Sequence, residues 1–183
     1  MLTADYKSML LEKIKEEALQ TGITRTLSSG RRSGYYIDGK LVTLDPEGAF
    51  LTVRLIFDML TTIDFDAVGG PTLGAGPIVG ALAAFSYINK RPIKTFIVRR
   101  DSKKHSTMKL IEGQFARGFR VIIVDDVVTT GNSILQAIDV IEQEKGEIVK
   151  IITLIDRQDG ARERFDSLGY EFESIFTRVD LAL

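Results

Sequence analysis

An apolar run followed by two adjacent carboxylates constrains the fold of this chain more than any other sequence feature. The run, residues 121–124, is rich in β-branched side chains and is typical of a strand buried on both faces of a parallel sheet. Asp125 and Asp126 follow directly, and then a turn of hydroxyl- and glycine-bearing residues. After the turn, Ile134, Leu135, Ile138 and Ile141 recur at helical spacing. The pattern predicts a strand, a turn and a helix in succession.

The turn in this pattern is suited to binding a phosphate group. Ligands of parallel sheets bind where strands end and helices begin, and a helix start offers backbone N–H groups and a partial positive charge. The two acids could accept hydrogen bonds from a sugar diol or approach a metal ion, so the pattern indicates a phosphorylated sugar. An ordinary capped strand–turn–helix is the simpler alternative, although paired acids at a buried strand end need partners. A response-regulator receiver is disfavoured, because its acid pair belongs on the first strand.

Composition limits the classes of protein to which the chain can belong. With 183 residues, 44% apolar residues and a net charge of −1, we expect one globular domain. The lack of cysteine excludes disulfides and thiolate metal sites, and one histidine excludes a multi-histidine zinc site. The charge balance lacks the basic excess of a nucleic-acid binder. Without a long apolar segment or a signal-peptide pattern, we expect a cytoplasmic protein that binds neither nucleic acid nor membrane.

Apolar patterns along the chain alternate between helices and strands, which predicts an α/β fold with a mainly parallel central sheet flanked by helices. We expect an amphipathic helix over residues 3–20 that stops at Gly22, and a second helix over residues 44–62 capped by Asp45. Residues 25–38 indicate a surface hairpin. The other predicted elements are a strand from Phe65, a helix from near Ile78, strands at 92–98 and 148–155, and a tail with a short helix, a strand at 170–176 and an exposed end.

Two loops have an unusual composition. Thr72, Leu73 and Gly74 begin a glycine-rich stretch, which a tight strand-to-helix turn would explain. It is not a nucleotide-triphosphate P-loop, because no Gly-Lys-Ser/Thr follows. Residues 99–109 carry five Lys or Arg residues and His105. A solvated charged loop is the simplest explanation of that composition, and a nucleic-acid patch is the next.

Residues 121–133 resemble the phosphoribosyl-pyrophosphate (PRPP) signature of the type I phosphoribosyltransferases, an apolar strand, two acids and a Thr/Gly/Ser turn. Three other segments resemble orotate phosphoribosyltransferases: a hood segment with Leu27, Ser29, Gly30, Ser33 and Tyr36, the basic loop with its following Ile-Glu-Gly, and the Asp-Arg-Gln at 156–158. The resemblance implies a type I phosphoribosyltransferase fold in a single domain. Its N-terminal helix and small hood would span residues 1–43, and its core residues 44–183.

The resemblance also implies a role for each candidate residue. Lys103, Asp125 and Asp126 would be catalytic: the acids address the ribose hydroxyls and the lysine stabilises the departing pyrophosphate. Thr129, Arg157 and Tyr36 would contact orotate, whose carboxylate a guanidinium can hold bidentately. The residues implied to bind PRPP, including its pyrophosphate, are Arg99, Arg100, Lys103, His105, Asp125, Asp126, Val127, Val128, Thr129, Thr130, Gly131, Asn132, Ser133 and the loop Thr72, Leu73 and Gly74.

The activity implied by this resemblance is transfer of the phosphoribosyl group from PRPP to orotate, giving orotidine 5′-monophosphate and pyrophosphate in pyrimidine biosynthesis. Mg²⁺ would be the cofactor, held mainly by PRPP. A homodimer is implied, with loop 99–109 closing over the neighbouring active site. Ser28, Arg100, Ser106 and Asn132 depart from the family pattern. These departures leave open a phosphoribosyltransferase for another base, or a non-catalytic PRPP-binding regulator of the same fold.

Overall fold

A six-stranded sheet forms the centre of the molecule, in a computed structural model that describes residues 3–26, 32–99 and 109–183. Its strand order is β5-β4-β3-β6-β7-β8, and every described pairing is parallel except that of β5 with β4. The strands are β3 (Ala67–Pro71), β4 (Lys94–Val98), β5 (Ile111–Gly113), β6 (Arg120–Val128), β7 (Glu147–Asp156) and β8 (Phe172–Thr177). The predicted α/β fold with a mainly parallel sheet is confirmed.

Six α-helices and a separate hairpin accompany the sheet in the described part of the chain. The hairpin pairs β1 (Leu19–Thr26) with β2 (Arg32–Ile37). The helices are α1 (Thr3–Lys13), α2 (Lys40–Thr43), α3 (Pro46–Met59), α4 (Ala75–Ile88), α5 (Asn132–Gln143) and α6 (Ala161–Ser167). A hairpin is present as predicted, but it begins at Leu19 rather than at residue 25. The proposed division of the chain between residues 43 and 44 stays a prediction.

Strand β6 shows why its sequence is an unbroken apolar run. Successive side chains of a strand point to opposite faces of the sheet. Ile122 and Val124 pack into the apolar cluster formed with α1, α3 and α4, while Val121 and Ile123 pack into the cluster formed with α5 and α6. Because helices cover both faces, neither side of the strand has room for a polar residue until Asp125.

The N-terminal prediction was wrong in its end point. Helix α1 stops at Lys13, continues as a π-helical turn (Ile14–Ala18), and gives way to strand β1 at Leu19. Gly22 does not end the helix; it lies inside β1 with a φ of 72°. Local helical spacing could not reveal that the segment pairs with β2, because that pairing is made with residues farther along the chain.

Other boundaries differ where tertiary packing decides them. Asp45 caps α3 as predicted, accepting a hydrogen bond of 2.8 Å from the Gly48 N–H, but the helix is shorter than residues 44–62 and is preceded by α2. Helix α4 begins at Ala75 rather than near Ile78. Strand β5 was not predicted. The end of the chain was predicted to be exposed, yet Leu181 is buried in the core.

Candidate active site

The acid pair lies at the carboxyl end of β6, in the middle of the sheet. Asp125 and Asp126 are each only 7% exposed. The Asp126 N–H donates to Oδ1 of Asp125 at 3.0 Å, and the Val127 N–H donates to Oδ1 of Asp126 at 2.8 Å. Burial raises the pKa of Asp126, while the positive charge of Lys40 and the Val127 N–H act in the opposite direction. Two carboxylates are thus held in fixed positions at the sheet edge where ligands bind.

A turn and the start of α5 follow the acid pair and enclose a cavity of ≈ 270 Å³ lined mainly by residues 127–134. Gly131 has a left-handed φ of 78°, and a Cβ there would overlap the ring of Phe165. The N-cap residue of α5 is Gly131, which has no side chain to accept a hydrogen bond from the first N–H groups. Because the start of α5 lines the cavity, its N–H groups and helix dipole form an arrangement suited to a phosphate.

Arg164 supports this turn from α6, a contact that the sequence did not predict. Its Nη1 donates to Oδ1 of Asn132 and lies 3.4 Å from the Thr130 carbonyl oxygen. An asparagine at position 132, one of the departures from the family pattern, therefore has a partner that joins the turn to α6.

The glycine-rich loop after β3 packs directly on the acid pair. A Cβ on Gly74 would overlap carboxylate oxygens of both Asp125 and Asp126, so only glycine fits at this approach. Thr72 is anchored by its N–H, which donates to the Val98 carbonyl at 2.9 Å, and its peptide bond to Leu73 is cis. The loop and the acids line a second cavity of ≈ 430 Å³. Both cavities share Asp125, and they therefore adjoin at the acid pair.

Lys40, which the sequence did not single out, reaches this second cavity from α2. Its Nζ lies 2.6 Å from Oδ1 of Asp38 and 3.7 Å from Oδ2 of Asp126. Burial acts to lower the pKa of Lys40, but the bond to Asp38 and the charge of Asp126 outweigh it and raise the pKa overall. Lys40 is therefore charged at neutral pH and lies beside the acid pair.

Arg157 follows β7 at the same edge of the sheet and is only 3% exposed. Its N–H donates to the Val128 carbonyl at 3.0 Å, and its Nε lies 3.2 Å from Oδ2 of Asp159. The ring of Tyr35 covers the guanidinium, with 4.3 Å between the ring centroid and the guanidinium carbon. A buried arginine with an aromatic ring on one side is well suited to a planar, anionic ligand.

Tyr35, the neighbour of the predicted orotate-binding residue Tyr36, is an aromatic residue that contacts Arg157. Neighbouring residues of a strand face opposite ways, and Tyr36 lies near Lys40 instead. The hairpin thus presents one tyrosine to each end of the site. The predicted role of Tyr36 in binding orotate stays a prediction.

Only the two ends of the basic loop, Arg99 and Lys109, are described. Arg99 is half-buried, with its N–H donating to the Leu110 carbonyl at 2.9 Å and its Nη1 lying 3.7 Å from Oε1 of Glu112 on β5. Arg100, Lys103 and His105 lie outside the described residues. Their predicted contacts with PRPP therefore stay predictions.

The described residues fit Mg²⁺ that is held mainly by a substrate. Within the described ranges, no group of three or more His, Cys, Asp or Glu could hold a metal ion. Two carboxylates do line the larger cavity. Mg²⁺ commonly binds through one or two carboxylates together with substrate phosphates and water. A pair of acids beside a phosphate-binding loop meets that requirement.

None of the helices in the described ranges has the length and apolar composition needed to cross a membrane.

Comparison with known proteins identifies the family. Residues 47–174 match the model of the phosphoribosyl transferase domain. The chain is 41% identical to the orotate phosphoribosyltransferase of Nostoc sp., with 98% of this chain and 88% of that protein covered. It is 36% identical to the orotate phosphoribosyltransferase of Streptomyces avermitilis, with 98% of each chain covered.

A solved structure of an orotate phosphoribosyltransferase has a similar fold. The orotate phosphoribosyltransferase of Mycobacterium tuberculosis in complex with 5-phospho-α-D-ribosyl 1-diphosphate (PRPP) superposes with a TM-score of 0.80 at 35% identity, covering 97% of this chain and 99% of that one. The resemblance seen in the four sequence segments is confirmed. The chain belongs to the phosphoribosyltransferase family and, within it, to the orotate phosphoribosyltransferases.

Proposed function

We propose that this protein transfers the 5-phosphoribosyl group of PRPP to orotate, giving orotidine 5′-monophosphate and pyrophosphate, a step of pyrimidine biosynthesis. The observation that carries the proposal is the convergence of three features at one sheet edge. They are the buried acid pair at the end of β6, the uncapped start of α5, and the buried Arg157 at the end of β7. Together they provide for a sugar, a phosphate and an anionic base.

PRPP is placed along the two adjoining cavities. Its 5′-phosphate occupies the cavity at residues 127–134, where N–H groups at the start of α5 donate to it. The ribose hydroxyls donate to Asp125 and Asp126. The pyrophosphate lies in the larger cavity, against the loop of Thr72, Leu73 and Gly74. This order follows the covalent order of PRPP itself, phosphate, ribose and pyrophosphate.

Orotate lies beside Arg157, and its carboxylate accepts hydrogen bonds from the guanidinium. The bond from Nε to Asp159 and the contact with the ring of Tyr35 hold that guanidinium in position. Thr129, in the turn after β6, is within the same region and contacts the pyrimidine ring. A base without a carboxylate could not accept these charged hydrogen bonds from the guanidinium, which is the basis of selectivity.

The reaction forms a bond between N1 of orotate and C1 of ribose while the C1–O bond to pyrophosphate breaks, and pyrophosphate leaves with the bonding electron pair. Anionic orotate is already a nucleophile, so no strong general base is required. Positive charge that develops on the ribose is stabilised by the fixed carboxylates of Asp125 and Asp126, and negative charge on the departing pyrophosphate by Lys103, with Arg99, Arg100 and His105. Closure of their loop excludes water, which would otherwise hydrolyse the ribosyl centre.

Mg²⁺ is the cofactor we propose, in line with the usual property of phosphoribosyltransferases. When bound, it would neutralise charge on the pyrophosphate oxygens. Asp125 and Asp126 are the described carboxylates that could hold it together with PRPP. Their own part in the reaction, orienting the ribose hydroxyls, is independent of that role.

A homodimer is part of the same proposal, with loop 99–109 closing over the active site of the neighbouring subunit. Exposed apolar side chains support an association between copies: Leu44 after α2, and Tyr87 and Ile88 at the end of α4, are each about 70% exposed. Tyr87 and Ile88 are neighbours in the chain, and apolar side chains that are exposed together commonly mark a site of association.

Orotate consumption, followed by its ultraviolet absorbance with PRPP and Mg²⁺, tests the activity directly. We expect turnover by the wild type and a loss of about a hundredfold or more for Lys103→Ala, the scale of a lost transition-state donor. Lys15→Ala, which changes an exposed lysine of the π-helical turn, is the matched control. A folded wild type that binds PRPP without consuming orotate would overturn the proposal and direct attention to other bases and then to a regulatory role.

Selectivity is tested with Arg157→Gln, which removes the charge and keeps a polar side chain. We expect the KM for orotate to rise at least tenfold, because a charged hydrogen bond to the carboxylate is lost, while the KM for PRPP changes little. Arg117→Gln, at an exposed position far from the acids in the fold, serves as control. If Arg157 proves dispensable and uracil or a purine is consumed, another base is the acceptor.

A further inference from the structure

Lys40 is placed by the chain segment that joins the N-terminal hairpin to α3. Its side chain is 38% exposed, and its Nζ lies 2.6 Å from Asp38 and 3.7 Å from Asp126. The distance to Asp38 is that of a hydrogen bond, whereas the distance to Asp126 is an ion pair that is too long for one. An ammonium group carries three donors, so Lys40 can take a further anionic partner while it keeps Asp38.

The backbone at this position is packed against the acid pair. A Cβ on Gly39 would lie 2.9 Å from both Cβ and Oδ2 of Asp126 and 3.0 Å from Cγ2 of Val127. The Lys40 N–H also donates to Oδ1 of Asp38 at 3.2 Å. A glycine that allows this close approach and a side-chain bond back to Asp38 together hold the lysine stem at the edge of the site. Lys40 is not a loosely attached surface residue.

Without Lys40, the described charged side chains that line the larger cavity would all be negative. Its described lining includes the two carboxylates of Asp125 and Asp126, and Lys40 is the single Lys or Arg among those lining residues. Pyrophosphate entering this space would meet the negative acids at short range. Repulsion between like charges is strong where water is partly excluded, and a cation already in place would offset it.

We propose that Lys40 is a further PRPP-binding residue, which donates to the pyrophosphate group from the side of the acid pair. This inference rests on the proposed function, because it assumes that pyrophosphate lies between residues 72–74 and the acids. Lys40 belongs to α2, so this contact does not require closure of the basic loop. It can therefore hold the pyrophosphate of PRPP before that loop closes.

The competing explanation is that Lys40 only compensates the charge of Asp126 and never contacts substrate. The two explanations predict that the loss of Lys40 weakens the binding of different parts of PRPP. A contact with pyrophosphate weakens binding of inorganic pyrophosphate and leaves ribose 5-phosphate unaffected. Charge compensation alone acts through Asp126 and disappears when Asp126 is made neutral.

The experiment measures binding of the two fragments by calorimetry at one fixed Mg²⁺ concentration. We expect Lys40→Met to weaken the binding of inorganic pyrophosphate at least tenfold, the scale of a lost charged hydrogen bond. The affinity for ribose 5-phosphate should be unchanged. Lys40→Arg keeps the charge and should restore most of the affinity, and Lys15→Met is the control for loss of a lysine. Lys40→Gln replaces Lys40→Met if the latter does not fold, as judged by circular dichroism.

A second comparison uses Asp126→Asn as background. If Lys40 contacts pyrophosphate, Lys40→Met still weakens its binding in that background; if the added effect vanishes, the proposal is overturned. Unchanged pyrophosphate binding by Lys40→Met, or a loss confined to ribose 5-phosphate, overturns it equally. Because no orotate is used, failure of the wild type to consume orotate counts against the proposed function and not against this contact.

Discussion

The guanidinium carbon of Arg157 lies 4.3 Å from the centre of the Tyr35 ring, so a residue of the N-terminal hairpin covers a cation of the central sheet. Burial raises the pKa of Tyr35, although the nearby charge of Arg157 acts against this, so the hydroxyl is neutral at physiological pH. That hydroxyl also accepts a hydrogen bond from Arg178. Tyr35 is therefore the contact through which the hairpin can position the arginine that we assign to orotate.

Two substitutions of Tyr35 distinguish the contribution of its ring from that of its hydroxyl. We expect Tyr35→Leu to raise the KM for orotate by roughly threefold to thirtyfold, the range of a partly desolvated cation–π contact, with the KM for PRPP nearly unchanged. Tyr35→Phe keeps the ring and should lie close to the wild type. Steady-state kinetics with each substrate varied in turn measures both constants. Equal effects of Phe and Leu would show that the ring is not what matters.

Gly74→Ala tests the close approach of the glycine-rich loop to the acids. The added Cβ would overlap the carboxylates of Asp125 and Asp126, and either the loop or the acids must move. We expect turnover to fall by about a hundredfold, because small displacements of positioning groups are costly. Gly76→Ala is the matched control, since a Cβ there meets no described atom within 4 Å.

The two glycine variants should also differ in stability. Gly76 lies in α4, where alanine has the higher helix propensity, and its replacement should leave the melting temperature unchanged or slightly raised. Gly74→Ala should lower the melting temperature, because the loop or the carboxylates must leave their packed positions. Activity of Gly74→Ala equal to that of Gly76→Ala would contradict the packing described here.

The most accurate sequence predictions concern residues 121–134, and the reason is local. An apolar strand, a glycine that needs a left-handed φ and a helix with regular apolar spacing are all visible within one window. Lys40 and Tyr35 were missed because their importance depends on partners more than eighty residues away, Asp126 and Arg157. The same limit explains the error at α1, whose continuation is decided by pairing with β2.

At strand β2, the resemblance to the hood segment could not show which of two adjacent tyrosines faces the sheet. The hood resemblance directed attention to Tyr36, yet adjacent strand residues face opposite sides, and a shift of one position exchanges their environments. Which tyrosine faces the sheet depends on the register with β1, where Tyr35 pairs with Thr21. No property of the two tyrosines themselves distinguishes them.

Asp156 predicts a specific dependence of stability on pH. It is 1% exposed; its Oδ1 accepts the Gln158 N–H at 2.8 Å, while its Oδ2 has no hydrogen-bond partner among the described residues. Burial raises its pKa, and the Gln158 N–H and Arg162 offset this only in part. The folded protein therefore holds the proton to a higher pH than the unfolded chain does. Stability is lost as the pH rises from the unfolded pKa through the folded pKa.

Asp156→Asn removes this ionisation, so its free energy of unfolding relative to the wild type should be more favourable at pH 7 than at about pH 4, near the ordinary pKa of an aspartate. Urea unfolding at the two pH values measures the difference. Asp139→Asn, on the exposed side of α5, should show a smaller change between them. A difference that shrinks as the pH rises would contradict the assignment.

Gly131→Ala tests the phosphate turn against a control with the same backbone strain. Gly131 and Gly169 both have a left-handed φ, of 78° and 81°, and alanine in that conformation costs roughly 1–2 kcal/mol. A Cβ at position 131 would also approach the ring of Phe165, whereas one at 169 meets no described atom within 4 Å. Both variants should therefore be destabilised, Gly131→Ala by more.

Binding distinguishes the two positions further. Gly131 sets the direction of the first N–H groups of α5. Its replacement should therefore weaken the binding of ribose 5-phosphate by at least tenfold, the scale of charged hydrogen bonds to a phosphate. Gly169→Ala, at the far end of α6, should bind ribose 5-phosphate as the wild type does. Calorimetry on both variants, at a temperature where each is folded, makes the comparison. Equal affinities would mean that the 5′-phosphate does not depend on this turn, and the placement of PRPP along the two cavities would have to be reversed.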